Sequence, residues 1–333
     1  MRAGIAVVTD STAYLPDADL RRYPISVVPL QVVIGDRALT EGVEVGTAEV
    51  ARALAAGERV TTSRPAPALF ARRYRELAEA GAAGVVSVHL SGELSGTLEA
   101  AVLGAREVAD LIPVRVVDSR SLALGLGFPV LAAAGAALAG GDLDVVSAEA
   151  VRVAAGTRAW FAVDTLEYLH RGGRIGTAAA WVGTAFAIKP VLGVEDGRLV
   201  PVERVRTAGR ALGRLVELAA GSADEWAASE AAAGSARQDG VASETDLARE
   251  VGAMAGAADR GRPFLDVGVH HVAAPDRAER LAERLRAAVS GIRILRVSEV
   301  GAVISAHTGP GLLAVVTAPV PVRAVPAGLE FLA

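Results

Sequence analysis

Val85 to Leu111 reads VVSVHLSGELSGTLEAAVLGAREVADL, and this stretch decides the fold. Val85 to Leu90 is a short apolar run of the kind that forms a strand buried on both faces. Ser91-Gly92-Glu93-Leu94-Ser95-Gly96-Thr97 breaks the run, because glycine and serine favour turns and helix starts. Leu98 to Leu111 then returns to a helical spacing of apolar residues. Strand, loop and helix in that order build parallel sheets, which bind ligands in the loops at the C-terminal ends of their strands.

The same pattern recurs on either side. Gly4 to Val8 reads as a buried strand followed by Thr9-Asp10-Ser11-Thr12, and Leu15-Pro16 leads into a short helix near Asp17 to Arg22. Val114 to Val117 is a strand ending in Asp118-Ser119-Arg120-Ser121. Three strands thus end in loops rich in Ser, Thr and Asp, and those loops should gather at one edge of a sheet. Between them, Ile25 to Ile34 is strongly β and turns at Gly35-Asp36. Thr47 to Ala56 reads as a helix with Thr47 as its N-cap. Thr61 to Pro65 reads as a hydroxyl-rich loop before a helix over Ala68 to Ala80.

Composition bounds the rest. The 333 residues fit two α/β domains, divided where the pattern changes, 1–157 and 158–333. With 52% hydrophobic but only 4% aromatic residues, the core must be built from Ala, Val, Leu and Ile. The absence of cysteine excludes disulfides and thiolate metal ligands, and a cytoplasmic location is expected. A net charge of −4 argues against nucleic acid as the main partner. The chain reaches Asp10 too soon for a signal peptide. Ser121 to Gly141 carries no charge and is long enough to span a bilayer, but its Ala, Gly and Pro129 content favours a buried helix.

The second half opens with a strand at Trp160 to Val163 and then Thr165 to Pro190, TLEYLHRGGRIGTAAAWVGTAFAIKP. A short helical segment runs into His170-Arg171-Gly172-Gly173-Arg174, a basic turn whose backbone N–H groups and arginines suit an anion. The 14 uncharged residues from Ile175 to Ile188, read as a long helix or loop, offer an apolar wall that suits a hydrocarbon. Lys189, which ends them, is the chain's single lysine; an ordinary solvated helix-terminal lysine is the competing explanation. Val191 to Val194 and Leu199 to Val205 form a hairpin turning on Asp196-Gly197. Ala208 to Ala219 reads as a helix capped by Thr207, and Ser222 to Thr245 as a low-complexity loop or poorly packed helix. Phe264 to Val272 is a strand carrying His270-His271. A helix over Pro275 to Val289, a strand over Ile292 to Val297, the turn His307-Thr308-Gly309-Pro310-Gly311 and a strand over Leu312 to Val316 complete the chain.

Taken together, TDSTAYLP (Thr9 to Pro16), TSRPAP (Thr62 to Pro67), SGELSGT (Ser91 to Thr97), VVDSRS (Val116 to Ser121), TLEYLHRGGRIG (Thr165 to Gly176), IKP (Ile188 to Pro190) and HTGPG (His307 to Gly311) resemble the DegV family of bacterial fatty-acid-binding proteins. The ordered set spans nearly the whole chain. The resemblance implies a parallel-sheet α/β domain, a second α/β domain with a more antiparallel sheet, and one long-chain fatty acid buried between them. It further implies similarity to the lipid-binding, non-catalytic subunit of bacterial fatty acid kinase. That subunit presents the carboxylate to a separate ATP-using kinase subunit, whose acyl phosphate product enters phospholipid synthesis. By position, Thr62 and Ser95 match the carboxylate-binding hydroxyls, with Gly96 and Thr97 beside them. Arg174, Ser63 and one of His271 or His270 match a polar shell, His271 by its spacing to Ala274-Pro275. Arg171 and Lys189 are candidates for partner docking or charge screening. No cofactor or metal is implied, and transient membrane contact is left open. The chain departs from the family pattern at Arg64, where glutamine is frequent, and in the insertion-like tract near 222–245.

The residues by themselves leave alternatives. Ser95 and Thr97 fit plain helix N-capping as well as anion binding, and Thr62 fits an ordinary turn hydroxyl. His270, His271 and His307 fit satisfied structural histidines. Asp10 and Asp118 fit loop-holding roles better than catalysis. A serine hydrolase is the first rival, yet no G-x-S-x-G elbow occurs. Neither nucleotide-binding glycine motif is present in its required context. Adjacent His270 and His271 would point to opposite faces of a strand, which disfavours a shared metal. A regulatory protein with lipid as structural filler remains a rival of a different class.

Overall fold

The computed structural model describes residues 4–182, 188–238 and 264–320. Its first sheet is parallel throughout, in the order β2 (Ile25–Val28), β1 (Ile5–Asp10), β6 (Gly84–His89) and β7 (Val114–Asp118). The chain leaves β1 for β2 on one side, and β6 lies on the other. The order therefore reverses between β1 and β6, which opens a crevice at their C-terminal ends. Helices α3 (Pro67–Glu79) and α4 (Thr97–Glu107) cover one face through Phe70, Tyr74 and Ala101. Helices α5 (Leu124–Leu138) and α6 (Leu143–Gly156) cover the other through Val130, Ala133, Val146 and Ala150.

A six-stranded mixed sheet follows: β10 (Arg198–Val205), β9 (Lys189–Glu195), β8 (Arg158–Ala162), β13 (Leu313–Val320), β11 (Phe264–His271) and β12 (Ile292–Glu299). All its pairings are antiparallel except β11 with β12. Asp196 and Gly197 both have positive φ, 48° and 81°, so the predicted β9–β10 turn has the twist that short hairpins favour. Helices α8 (Ala208–Gln238) and α9 (Pro275–Ala288) pack on the outer face through Leu215, Ala219, Leu281 and Leu285.

Helix α5 lies between the two sheets, touching β1 and β6 on one side and β11 and β13 on the other. A helix that meets apolar surface all round must itself be apolar all round. That accounts for the uncharged run from Ser121 to Gly141. Among the described residues no helix is long and apolar enough to cross a membrane.

Several expectations change. Ile25 to Ile34 is not one strand: β2 joins the parallel sheet and β3 (Gln31–Ile34) a separate antiparallel sheet, β4 (Arg37–Thr40), β3 and β5 (Val60–Ser63). Pro29 divides them, because it has no N–H to donate to a ladder. The hydroxyl-rich stretch at Thr61 is strand β5 rather than loop, since β-branched threonine suits a pleated edge. Helix α2 (Thr47–Ala55) is capped by Gly46, and the Thr47 hydroxyl instead bonds the Val300 carbonyl. The helix predicted to stop at Ala219 continues to Gln238, as its alanine content favours. Ser222 bonds Thr317 at 2.9 Å and Trp226 packs near Gly156, so the start of the low-complexity tract is well packed. Residues 239–245 of that tract lie outside the described residues. The apolar run after Ile175 is a 3₁₀ turn over Gly176–Trp181, and 183–187 also lie outside. Two helices escaped the pattern reading, α6 and the short α10 (Ala302–Thr308); α7 (Glu167–Arg171) lies within the predicted region.

Candidate functional site

The loops after β1, β6 and β7 gather at one edge, as their composition predicts. Leu90 N–H donates to Asp10 Oδ2 at 3.0 Å, Ser91 N–H to the Ser121 carbonyl at 2.9 Å, and Gly92 N–H to Asp118 Oδ2 at 3.4 Å. Between this edge and the inner face of the six-stranded sheet lies a cavity of about 360 Å3. That size falls within the usual range for small-molecule sites. Its walls are mostly apolar: Leu90, Leu94 and Leu122 from the parallel-sheet loops, and Ala159, Phe161, Val194 and Ala314 from the mixed sheet. Thr62, Ser63, Arg64, Ser95, Arg174 and His307 also line it.

These polar residues form one contiguous group. Thr62 Oγ1 lies 2.8 Å from His307 Nε2. Arg174 reaches across from the basic glycine turn, donating from Nε to the Leu94 carbonyl at 3.1 Å and from Nη1 to the Gly172 carbonyl at 2.7 Å. Gly172 packs so closely on the imidazole that a Cβ there would sit 2.2 Å from His307 Nδ1. Arg64 extends over Gly96 and ion-pairs with Glu99 at 2.6 Å. Ser95 Oγ lies 2.9 Å from Thr97 Oγ1 and accepts from Thr97 N–H at 3.3 Å. Ser95 therefore supports the start of α4 and also lines the cavity. Thr97 is fully buried behind it.

His307 sets the hydrogen-bond direction. Burial, reinforced by the Arg174 charge, lowers its pKa to about 4, so the ring is neutral near pH 7. Its Nδ1 is buried with no hydrogen-bond partner among the described residues. A proton on Nδ1 would leave a buried donor unpaired, whereas a proton on Nε2 leaves only a lone pair there. The Nε2–H tautomer is thus preferred. It donates to Thr62 Oγ1 and leaves the Thr62 hydroxyl proton free for another acceptor.

A family model for the DegV family, described as an uncharacterised protein, matches residues 4–251 and 256–320. The chain belongs to the DegV family. It is 52% identical over 316 residues to a DegV domain-containing protein of Streptomyces coelicolor, covering 95% of this chain and 99% of that one. A solved DegV family protein from Thermus thermophilus, described by its fatty acid binding, matches with a TM-score of 0.80 and 32% identity over 95% of this chain and 100% of that one. DegV of Bacillus subtilis, described as a fatty acid binding protein, gives 0.77 and 29% over 96% and 100%.

Within this DegV-family chain the two candidate histidines of β11 diverge. His270 lines the cavity, but both ring nitrogens are engaged: Nε2 accepts from Leu124 N–H at 3.1 Å, and Nδ1 lies 3.0 Å from Ser298 Oγ. Desolvation lowers its pKa to about 4, and it serves to cap α5. His271, favoured by its spacing, faces away from the cavity, as strand alternation requires. Its Nδ1 accepts from Ala274 N–H at 3.4 Å and lies 3.8 Å from Glu299. The histidine beside Thr62 is His307 instead. His307 opens the HTGPG motif, which the sequence reading did not assign to the site, and α10, which carries it, lacked a helical pattern long enough to read. Arg171 and Lys189 also stand apart from the cavity lining. Arg171 pairs with Glu167, and Lys189 Nζ with Asp164 at 2.9 Å. Charge beside the hydroxyls comes from Arg174 and Arg64.

The chain does contain a Ser–His–Asp series. Ser87 Oγ lies 2.7 Å from His89 Nε2, and His89 Nδ1 lies 3.0 Å from Asp10 Oδ2. All three residues are fully buried within the parallel sheet, and none lines the cavity. Tyr74 OH closes the series at 2.9 Å from Ser87. A nucleophile needs access to substrate, so this network is architecture.

Proposed function

We propose that this protein binds one long-chain fatty acid in the cavity and presents its carboxylate to a separate ATP-dependent kinase subunit, doing no chemistry alone. The observation that supports it best is the division of the cavity into apolar walls and one polar group, Thr62–His307, Ser95 and Arg174. A buried carboxylate is costly unless charge-assisted hydrogen bonds satisfy it, and two hydroxyls with an arginine can supply them. Each methylene buried against the walls contributes about 0.8 kcal/mol before the costs of binding. The fatty acid binding described for the Thermus thermophilus and Bacillus subtilis relatives agrees with this reading.

In the partnered reaction a carboxylate oxygen attacks the γ-phosphorus of ATP. The new C–O–P linkage forms as the bond to ADP breaks, and no proton is exchanged. The role of this chain is to hold the attacking oxygen at a fixed place near the mouth. Such a carrier works in the cytoplasm and feeds phospholipid synthesis, with the domain boundary near residue 157 framing the cavity.

Mass spectrometry of an organic extract should find one fatty acid per chain. Thr62→Ala and Ser95→Ala should each lower fatty acid affinity by about ten-fold, the worth of a hydrogen bond to a charged group. An empty protein that takes up no added fatty acid would refute the reading. Unchanged affinity in both variants would refute the site assignment.

A further inference from the structure

Arg64 stands outside the Thr62–His307 pair, at the edge of the cavity. Its guanidinium lies directly over Gly96: a Cβ built at residue 96 would sit 2.3 Å from Nη1 and 2.8 Å from Cδ. Only glycine at 96 lets the arginine approach the backbone beside Ser95. The partner of Arg64 is Glu99, one turn away from Gly96 along α4, and the side chains are 51% and 67% exposed. An ion pair so exposed contributes little to stability, so exchanging its anion costs little.

The geometry points to Arg64 as a headgroup-selecting residue that releases Glu99 to hold the outer anion of the ligand, favouring an acyl phosphate over the free fatty acid. This rests on the function proposed above. Thr62, Ser95 and Arg174 serve the carboxylate oxygens nearest the apolar walls. A phosphoryl group added to that carboxylate must extend toward solvent, because the acyl chain occupies the interior. Beside Ser95 the cavity is lined by Gly96, which has no side chain, and by Arg64 packed over it. There the group meets a planar guanidinium whose fork matches phosphate oxygens two at a time. A phosphate monoester carries up to a second negative charge that a carboxylate lacks, so the gain is larger for the phosphorylated ligand. Until then Glu99 acts as a built-in placeholder anion that keeps Arg64 over the mouth.

The test compares palmitate with hexadecyl phosphate, a stable analogue of palmitoyl phosphate in which the carbonyl is a methylene. Each is titrated by calorimetry into delipidated wild type, Arg64→Gln and Glu99→Gln. Arg64→Gln should weaken hexadecyl phosphate by about ten-fold and palmitate by about two-fold or less, as for a charge-assisted contact partly open to water. Glu99→Gln, which removes the competing anion, should tighten hexadecyl phosphate more than palmitate. Arg64→Gln losing both ligands equally, or neither, overturns the assignment while leaving the fatty acid reading intact. Wild type that binds neither ligand overturns both. All three proteins should melt at the same temperature, since the pair is exposed.

Discussion

Two polar networks sit about the same crevice and differ in how completely they are satisfied. In the first, Asp10 accepts from Thr12 N–H, Leu90 N–H and His89 Nδ1, all at 3.0 Å, and His89 continues to Ser87 and Tyr74. Asp10, Ser87 and His89 have no solvent exposure. In the second, Thr62 meets His307, whose Nδ1 is unpaired among the described residues, and Arg64 spends its charge on an exposed glutamate. A closed network specifies a fold, because every member loses its partner if any one moves. An incomplete network beside an apolar cavity keeps hydrogen-bonding groups that are not fully committed to the fold. Residue type cannot distinguish the two, since the catalytic-looking Ser–His–Asp series is the closed one.

The largest effect should come from breaking the closed network. Asp10→Ala leaves His89 and the Leu90 N–H buried without their acceptor, at a cost of about 3–5 kcal/mol. Urea unfolding followed by circular dichroism measures it, with fatty acid uptake assayed on the folded fraction. Should Asp10→Ala unfold like wild type yet take up no fatty acid, the first network would belong to the site and the contrast would fail.

Acid should separate the networks next. His307 and His270 have folded-state pKa values lowered to about 4 by burial, against about 6.5 in an unfolded chain. Between those values the unfolded state binds more protons, so stability rises with pH. The stability these neutral rings preserve is fully present above about pH 6.5 and is lost progressively as pH falls toward 4. Burial lowers the pKa of His271 in the same direction. Unfolding free energies measured across this window should fall with acid, and His307→Asn should make the slope shallower. An unchanged slope in that variant would place a proton on His307 in the native state and remove the tautomer argument for Thr62.

What the sequence made legible follows the same division. The α/β class and the gathered loop edge were readable because β6, its Ser/Gly loop and α4 are contiguous and each follows its own period. Thr62, Ser95 and Arg174 were readable through resemblance, and the structure gathers all three around one cavity. The sequence reading placed the shell histidine on β11, where His270 does line the cavity; it did not single out His307, which meets Thr62 across 245 positions from a seven-residue helix with no visible period. Glu41 was invisible for a similar reason. It lies beyond β4, yet its carboxylate accepts from Val303 N–H at 2.7 Å and from Tyr14 OH at 2.9 Å, which fixes the start of that helix. Burial raises the pKa of Glu41, as expected for a carboxyl drawn into the joint between the two halves. Local pattern reveals elements; it does not reveal which distant residues those elements bring together.

The smallest effect tests where the open network ends. Arg171 lies three residues before Arg174 in the same basic turn, so sequence alone gives the two similar standing. The fold does not: Arg174 bonds across to Leu94, while Arg171 pairs with Glu167 one helical turn back, with side chains 65% and 54% exposed. An exposed pair of this kind contributes less than about 0.5 kcal/mol. Arg171→Ala should therefore leave both the unfolding midpoint and fatty acid affinity unchanged, measured beside Arg174→Ala, which should lose affinity. If Arg171 serves docking, only the rate of phosphorylation by the kinase subunit proposed above should fall. A loss of affinity in Arg171→Ala equal to that in Arg174→Ala would extend the polar end of the cavity along the whole turn. The contrast between a closed interior network and a narrowly bounded open one would then need redrawing.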